Sequence, residues 1–367
     1  MEKIKVLHIV SSLWSGGVAI LLKNYYECID HDLVQFDFIV TTPQKGMTEY
    51  YFEDQGSRIY HLNGHKHYLR SFFSTLQIVR KEGYKIVHAH HNDVSFLQLI
   101  AARLGGARVR IAHSHDVLFL SGFRRIIRKL YCLLTSAASN YHFACSKNAG
   151  EYLFGKRGIK KANYLCLHNA INYTHFQYSE EKRKHIREVY QCGDSFVIGH
   201  VGRLCDQKNQ GFLLDVFCSV LKMHRDSFLF LIGKGEDRDE VERRISQLGL
   251  KNRVCLVEVT NHIDEYLSGF DAFLFPSKHE GLGIAFLEAQ AADLPCVISD
   301  RIPEEAIVCS DRVSVLSLDE NASVWAKALL QYIGSSRNHM VSSLFWDHYD
   351  IQNEAKKLQK WYVEHAK

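Results

Sequence analysis

Long apolar runs are missing from this sequence, and their absence excludes a helix that crosses a membrane. None of the 367 residues lies in an uninterrupted apolar stretch of about 18, which a bilayer-spanning helix needs. The opening segment, MEKIKVLHIVSS, has one short strand-like stretch and no small-residue cleavage site, so we expect no secretion signal.

Paired cysteines and a large net charge are also missing. The ten cysteines occur singly, mostly inside apolar segments, and no C-x-x-C motif is present. This pattern argues against disulfides and a structural zinc site, and we therefore expect a protein of the reducing cytoplasm. A formal net charge of +4 is too small to indicate a nucleic-acid-binding protein.

Apolar, β-rich segments alternate with segments of helical spacing along the whole chain. Several of the apolar segments are nearly continuous, as in strands that helices cover on both faces. Such alternation implies parallel sheets with right-handed crossovers. We predict strands at 4–10, 35–40, 58–62, 85–90, 108–114 and 140–146, and again at 196–203, 227–233, 253–259, 272–277 and 295–300.

Two such series predict two facing Rossmann-like doubly wound domains with an interdomain cleft, and the length of the chain suits two domains. We place the first domain at 1–170 and the second at 171–347. We expect a C-terminal helix at about 348–367 to pack back on the first domain, and the charged stretch at 177–185 is the best linker candidate. Ligands bind beyond the carboxyl ends of strands in such sheets, so we seek the chemistry in those loops.

The segment EGLGIAFLE, from Glu280 to Glu288, is the strongest candidate for a binding site. Gly281 and Gly283 allow a tight turn before a helix that we predict from Ile284. Free N–H groups at a glycine-lined helix start favour a diphosphate. Glu288 lies on the helix face that carries small apolar residues, where an unpaired carboxylate is costly and ribose hydroxyls would satisfy it.

The alternative interpretation is a surface loop with a solvated Glu280 and a structurally hydrogen-bonded Glu288. This interpretation would be preferred if the sequence showed only two glutamates eight residues apart. Here a strand precedes the loop, and glycines and a helix start lie between the two acids, which favours a binding site.

Cations follow the predicted strand at 196–203. Arg203 ends that strand, and Lys208 comes five residues later, before a helix that we predict to be capped by Asn209. Both side chains could reach a diphosphate above the sheet and neutralise the charge on a leaving group. Gly233 and Gly235 fit either a passage close to the nucleotide or a simple glycine turn.

EGLGIAFLEAQAADLP and VGRLCDQKN together resemble the signatures of glycosyltransferase family 4, a group of retaining enzymes with the GT-B fold. HNAIN at 168–172 is similar to an interdomain segment of the family. SSLWSGG resembles its first strand–loop–helix, with Gly16 and Gly17 in the loop that approaches the donor phosphates. A narrower resemblance is to bacterial exopolysaccharide and capsule glycosyltransferases.

The resemblance implies a nucleotide-sugar donor, most often a UDP-sugar or GDP-sugar, and no bound metal or other cofactor. It also implies that the domain at 171–347 binds the nucleotide-sugar and that the domain at 1–170 forms the acceptor side. Glu288 would bind the ribose, and Arg203 and Lys208 would bind the diphosphate. Glu280 would hold the transferred sugar together with the backbone of Gly281, Leu282 and Gly283.

Histidines are concentrated in HAHHN at 88–92 and in HSHD at 113–116. His88 and His90 alternate onto one strand face, which suggests a metal site, but no fixed zinc spacing is met and we expect no metal. For most of these histidines, the simpler interpretation is that they are polar residues at strand ends whose hydrogen bonds are satisfied within the protein. The resemblance places His115 near the reacting sugar, where it would donate a hydrogen bond to a hydroxyl or handle the acceptor proton.

The segment 118–136 is amphipathic, with Arg124, Arg125, Arg128 and Lys129 among apolar residues. It fits a helix that rests peripherally on the inner face of an anionic membrane, and it fits equally an ordinary Rossmann helix with a basic solvent face.

We therefore expect a retaining transferase that moves a sugar from a UDP-sugar to a carbohydrate hydroxyl, on a lipid-linked oligosaccharide of bacterial surface polysaccharide synthesis. His115 and Glu280 are the candidate catalytic residues. The alternatives are a nucleotide-sugar epimerase of the same architecture and a non-catalytic subunit of a transferase.

Overall fold

Helices and strands alternate through the computed structural model, which describes residues 3–14, 17–62, 68–116, 122–337 and 348–366. The described residues divide into two compact units, within Met1–Ala170 plus Asp347–Lys367 and within Ile171–Trp346. Each unit contains one sheet whose strands all pair in parallel. The predicted fold class of two parallel-sheet α/β domains is confirmed, while the cleft between them stays a prediction.

The sheet of the first unit has seven strands: β1 (Ile4–Val10), β2 (Val34–Val40), β3 (Ile59–His61), β4 (Ile86–Ala89), β5 (Val109–Ser114), β6 (Tyr141–Ala144) and β7 (Tyr164–Cys166). Their order is β3-β2-β1-β4-β5-β6-β7, so the direction of winding reverses between β1 and β4. Every residue of β2 is buried, because helices cover both faces of the sheet.

Six helices connect these strands: α1 (Gly17–Cys28), α2 (Met47–Asp54), α3 (Tyr68–Glu82), α4 (Phe96–Gly105), α5 (Gly122–Ala138) and α6 (Lys147–Gly158). Aromatic side chains of α1, α2 and β2 pack together in the core, with Tyr26 stacked on Phe36 and Phe38 against Phe52.

The sheet of the second unit has six strands: β8 (Phe196–Val201), β9 (Ser227–Ile232), β10 (Val254–Val257), β11 (Ala272–Phe275), β12 (Cys296–Ser299) and β13 (Val313–Leu316). Their order is β10-β9-β8-β11-β12-β13, and the winding reverses between β8 and β11. The helices are α7 (Tyr173–Phe176), α8 (Glu180–Val189), α9 (Gln210–Met223), α10 (Arg238–Gln247), α11 (Ile263–Gly269), α12 (Ile284–Ala291) and α13 (Ala322–Leu330).

The prediction of a linker at 177–185 is wrong, because α8 begins inside this stretch. Ser179 caps this helix by accepting a hydrogen bond from the Lys182 N–H at 3.3 Å. Arg183 and Arg187 then bind the two carboxylate oxygens of Asp271 at 2.7 and 2.5 Å. The charges that suggested a solvated linker are used to fix the helix on the second unit.

A C-terminal helix, α14 (Ile351–His365), belongs to the first unit. Its apolar face, which includes Tyr362 and Leu358, packs into the same core as α1 and β2. The predicted strands are otherwise found within a few residues of their expected positions, but β7 and β13 were not predicted.

Candidate functional site

The carboxyl ends of β8 and β11 lie side by side at the winding reversal of the second sheet, where open α/β sheets bind their ligands. Two loops leave the sheet there: the β8–α9 loop (202–209) and the β11–α12 loop (276–283). Arg203 and Lys208 lie on the first loop, and Glu280 through Gly283 lie on the second. The winding reversal therefore brings together the two segments that the sequence marked as donor-binding.

Hydrogen bonds join these two loops along their length. The Lys278 N–H donates to the Gln207 carbonyl at 2.8 Å, and the Gln207 side chain donates to the His279 carbonyl at 2.9 Å. The side chain of Asn209 donates to the Pro276 carbonyl at 3.2 Å. The predicted capping of α9 by Asn209 is therefore wrong, because the Asn209 side chain makes no cap hydrogen bond. It connects the two loops instead.

Lys208 and Glu280 form an ion pair between the loops, 72 residues apart in the chain. Both side chains are largely withdrawn from solvent, with 14% and 8% of their surface exposed. The Lys208 ammonium also lies 4.8 Å from the centre of the Phe275 ring, a cation–π contact. The sequence predicted both charged residues for the site but gave no signal for their contact or for Phe275.

Glycines shape the backbone around this pair. Gly283 has a φ of +90° immediately before α12, and no side chain caps the start of that helix among the described residues. A Cβ on Gly233 or Gly235 would meet the carbonyl oxygen of Gly202 or Leu204 at 2.0 Å. These last two glycines are therefore required where their turn packs against the β8–α9 loop.

Glu288 lies one turn into α12 and is buried. Among the described residues, nothing forms a hydrogen bond or ion pair with its carboxylate, so these residues give no support to a structurally hydrogen-bonded Glu288. Burial, and to a smaller extent the nearby carboxylate of Asp264, raises the pKa of Glu288 to about 7. A buried carboxyl group that no described residue binds is a candidate for binding the hydroxyl groups of a ligand.

The other residues that were predicted to bind the nucleotide-sugar make fewer contacts with this group of residues or lie outside it. Arg203 follows β8 with 62% of its side chain exposed, and its guanidinium lies 3.9 Å from the Glu236 carboxylate. Gly17 is the first residue of α1 in the first unit. Gly16 lies outside the described residues.

Five imidazoles form a cluster, here called the histidine cluster, at the winding reversal of the first sheet: His8, His88, His90, His113 and His115. His8 and His88 are paired across β1 and β4, and His90 and His115 follow the ends of β4 and β5. His8 was not singled out from the sequence, although a histidine inside the apolar run of β1 was a usable signal.

Hydrogen bonds between imidazoles connect this cluster. His90 Nε2 lies 3.0 Å from His8 Nδ1, and His90 Nδ1 lies 2.8 Å from His115 Nε2. His88 bridges His113 at 3.0 Å and the hydroxyl of Tyr362 at 2.7 Å. Burial lowers the pKa of His8 and of His115 to about 3 and holds that of the other three well below the ordinary range.

Two triplets in the histidine cluster have the composition of a metal site, with ligand atoms within 4.8 Å of one another. They are His8–His88–His90 and His90–His113–His115, and three histidines are a set that zinc accepts. However, the nitrogen pairs at 2.8 to 3.0 Å are spaced for hydrogen bonds. A proton between two nitrogens uses the lone pair that a metal would need, so this geometry favours hydrogen-bonded histidines.

Helix α5 has an exposed apolar side formed by Phe123, Ile126, Leu130 and Leu133, of which Phe123 is 74% and Leu133 69% exposed. Arg124, Arg125 and Lys129 lie exposed beside it. Arg128 instead donates two 3.0 Å hydrogen bonds to the buried carboxylate of Asp93. Among the described residues, no helix is both long and apolar enough to cross a bilayer.

Comparisons with known proteins place the chain in a family. The family model "Glycosyltransferase Family 4" matches residues 15–175, and "Glycosyl transferases group 1" matches residues 181–342. A Bacillus subtilis protein named as glycosyltransferase EpsF is 30% identical over 342 residues, which cover 91% of this chain and 88% of the relative. The chain is a family 4 glycosyltransferase.

Two further comparisons extend over most of the transferase. An Escherichia coli UDP-Gal:alpha-D-GlcNAc-diphosphoundecaprenol alpha-1,3-galactosyltransferase is 26% identical and is matched over 82% of this chain and 80% of its own. The crystal structure of Anabaena HepE in complex with UDP and glucose superposes with a TM-score of 0.82 at 17% identity, covering 98% and 99% of the two chains. This likeness confirms the predicted GT-B fold.

Proposed function

We propose that the transferase moves a sugar from a UDP-sugar to a hydroxyl of a lipid-linked oligosaccharide in bacterial surface polysaccharide synthesis, with retention of the anomeric configuration. The observation that carries the proposal is the group at the β8–β11 winding reversal. It combines the buried Lys208–Glu280 pair, the helix start after Gly283 and the carboxylate of Glu288. Among the described residues, no side chain caps that helix start and none pairs with that carboxylate.

Each part of this group suits one part of a nucleotide-sugar. The N–H groups of Gly281, Leu282 and Gly283 and the start of α12 suit the diphosphate, assisted by Lys208 and by the exposed guanidinium of Arg203. Glu288 would accept hydrogen bonds from the ribose hydroxyls. Glu280, held by Lys208, would position the transferred sugar without acting as a nucleophile.

The proposed reaction is a front-face displacement that needs no metal. The bond between the anomeric carbon and the diphosphate oxygen breaks while the acceptor oxygen bonds to the same face of that carbon. The acceptor proton passes to the departing phosphate oxygen. Lys208 and the backbone amides stabilise the charge that develops on the leaving group.

The choice of donor and acceptor is supported by similar proteins. The name of the Escherichia coli relative specifies UDP-Gal and an undecaprenol diphosphate-linked sugar, and Anabaena HepE was solved with UDP and glucose. A Staphylococcus aureus relative, 25% identical and matched over 98% of this chain and 99% of its own, is named for capsular polysaccharide biosynthesis.

A transfer assay tests the proposal. A thermal-shift screen of UDP-, GDP- and ADP-sugars first selects the donor, since a ligand of the native state raises Tm. The labelled donor is then incubated with lipid-diphosphate-linked glycans, and the product's anomeric configuration is read by NMR. We expect acceptor-dependent transfer with retention, and loss of most turnover in Glu280→Gln.

The two alternatives give different results in the same assay. Conversion of the UDP-sugar in the absence of any acceptor would indicate an epimerase. Failure to bind any nucleoside diphosphate would indicate a non-catalytic subunit. An inverted product would contradict the retaining mechanism while leaving the transferase activity intact.

We further propose that the exposed side of α5 rests on an anionic membrane, which would bring the first unit to a lipid-linked acceptor. Exposed apolar residues flanked by Arg124, Arg125 and Lys129 are the combination that such contacts use. When vesicles of phosphatidylglycerol and phosphatidylcholine are sedimented, the wild-type protein should be found with the vesicles in the pellet. The Phe123→Ser variant should stay in the supernatant. Val189→Ser, at an exposed apolar residue of the second unit, is the matched control; equal loss in both variants would contradict the assignment.

A further inference from the structure

Three members of the histidine cluster form a single hydrogen-bonded chain that ends at His115. His8 contacts His90, and His90 contacts His115, in both cases through ring nitrogens at 2.8 to 3.0 Å. All three are neutral near pH 7, because they are withdrawn from water and, among the described residues, pair with no carboxylate. Each neutral imidazole carries one N–H and one bare nitrogen.

Only two arrangements of protons satisfy both contacts. If the proton of His90 is on Nδ1, it donates to Nε2 of His115, and Nε2 of His90 accepts from Nδ1 of His8. If the proton of His90 is on Nε2, both hydrogen bonds reverse direction. The first arrangement places the proton of His115 on Nδ1, and the second places it on Nε2.

His8 decides between the two arrangements. Its Nε2 is buried and has no hydrogen-bond partner among the described residues. The reversed arrangement would place an N–H at this nitrogen without an acceptor, and buried N–H groups without acceptors are rarer than acceptors without donors. The first arrangement leaves only a lone pair there, and it puts the remaining N–H on His115, which is partly exposed.

We propose that His8 and His90 are positioning residues that fix His115 as its Nδ1–H tautomer. His115 then presents an N–H donor, while its Nε2 lone pair is occupied by His90. It would therefore donate a hydrogen bond to a substrate oxygen and would not serve as a base for the acceptor proton. The role in substrate binding rests on the proposed function, whereas the tautomer itself does not.

Long-range ¹H–¹⁵N NMR of protein labelled in its histidine rings tests the tautomer directly, because protonated and bare ring nitrogens have well separated shifts. We expect His115 in the wild type to show a protonated Nδ1 and a bare Nε2. His90→Leu removes the donor to His115 and should give a mixture with the Nε2–H form. His90→Gln, whose amide N–H can replace the lost donor, should restore the wild-type pattern.

His113→Leu is the matched control, because His113 lies in the same cluster but bonds His88 and not the chain that ends at His115. This variant should leave the tautomer of His115 unchanged. In the transfer assay, His90→Leu should lower kcat with little change in KM for the donor, and His90→Gln should recover it.

An Nε2–H signal for His115 in the wild type would overturn the proposal, and this measurement does not depend on any variant folding. An unchanged His115 in His90→Leu would overturn it as well. If His115 is Nδ1–H and responds to His90→Leu but no sugar is transferred, the proposed function fails while the inference about the chain holds.

Discussion

Replacing Glu288 by glutamine should stabilise the protein at high pH while weakening its binding of a nucleotide. The folded-state pKa of about 7 lies above the ordinary value of 4.5, because the carboxylate is buried and lies near that of Asp264, and because no described residue pairs with it. Stability linked to a raised pKa is fully present below the unfolded-state pKa and is lost as the pH rises through the folded-state pKa. The loss therefore falls between the unfolded- and folded-state values of 4.5 and about 7.

The magnitude follows from this shift. A folded-state pKa of about 7 against an ordinary value of 4.5 corresponds to about 3 kcal/mol in total, most of which is lost between about pH 5 and about pH 8. Glutamine does not titrate and so escapes this loss. The free energy of unfolding of Glu288→Gln, relative to the wild type, should rise by roughly 2 to 3 kcal/mol between about pH 5 and about pH 8.

Urea unfolding of both proteins at both pH values measures this difference. Every other titrating group cancels when the variant is compared with the wild type at each pH. Hydrogen exchange of peptides that contain α12 should accompany the spectroscopic signal, because the two units need not unfold together. Glu188→Gln, at a carboxylate whose side chain is 68% exposed, is the control and should give no such difference.

A stability difference that is the same at both pH values would refute the reasoning, since it would mean that Glu288 is not a buried, unpartnered acid. At the same time, UDP should bind Glu288→Gln at least about tenfold more weakly, because glutamine lacks the charge that strengthens hydrogen bonds from ribose hydroxyls.

Three further predictions concern the other clusters. Lys208→Met should lower the free energy of unfolding by about 3 kcal/mol, because it leaves the Glu280 carboxylate buried and unpaired. In urea titrations, the double variant Lys208→Met/Glu280→Gln should recover most of that loss. Equal stability of the single and the double variant would count against a contribution of the Lys208–Glu280 ion pair to stability. His8, whose pKa is lowered to about 3, takes up a proton in the unfolded state first, so stability is lost as the pH falls below 6.5. His8→Leu should reduce the loss of stability between about pH 7.5 and about pH 5.5 by about 1 kcal/mol, and an unchanged pH dependence would contradict the burial argument. Dialysis against a chelator should leave sugar transfer unchanged, and a loss of activity that Zn²⁺ or Mg²⁺ restores would contradict a metal-free mechanism.

Most of the fold could be predicted from the sequence, because strands that are buried on both faces have nearly continuous apolar sequences. The strands that were missed, β7 (Tyr164–Cys166) and β13 (Val313–Leu316), are short, and none of their residues is fully buried. Their apolar signal is correspondingly weak. The error at α8 had a different cause: its many charges suggested solvent, but two of its arginines bind Asp271, which is distant in sequence.

The residues of the candidate site could be predicted, but their contacts could not. Glycines before a helix and a glutamate on its small-residue face are local patterns, and they identified Gly283 and Glu288. The Lys208–Glu280 pair depends on β8 and β11 being neighbours in the sheet, which no local pattern specifies. The histidine cluster likewise depends on the pairing of β1 with β4, so the contribution of His8 appeared only in the structure.

Hydrogen exchange with and without UDP tests the central claim most directly, namely that a nucleoside diphosphate binds at the winding reversal of the second sheet. We predict that saturating UDP slows exchange in the β8–α9 loop (202–209) and from the β11–α12 loop through Glu288, and that Lys208→Ala weakens this protection. Protection elsewhere in the chain, with these two segments unaffected, would contradict the account.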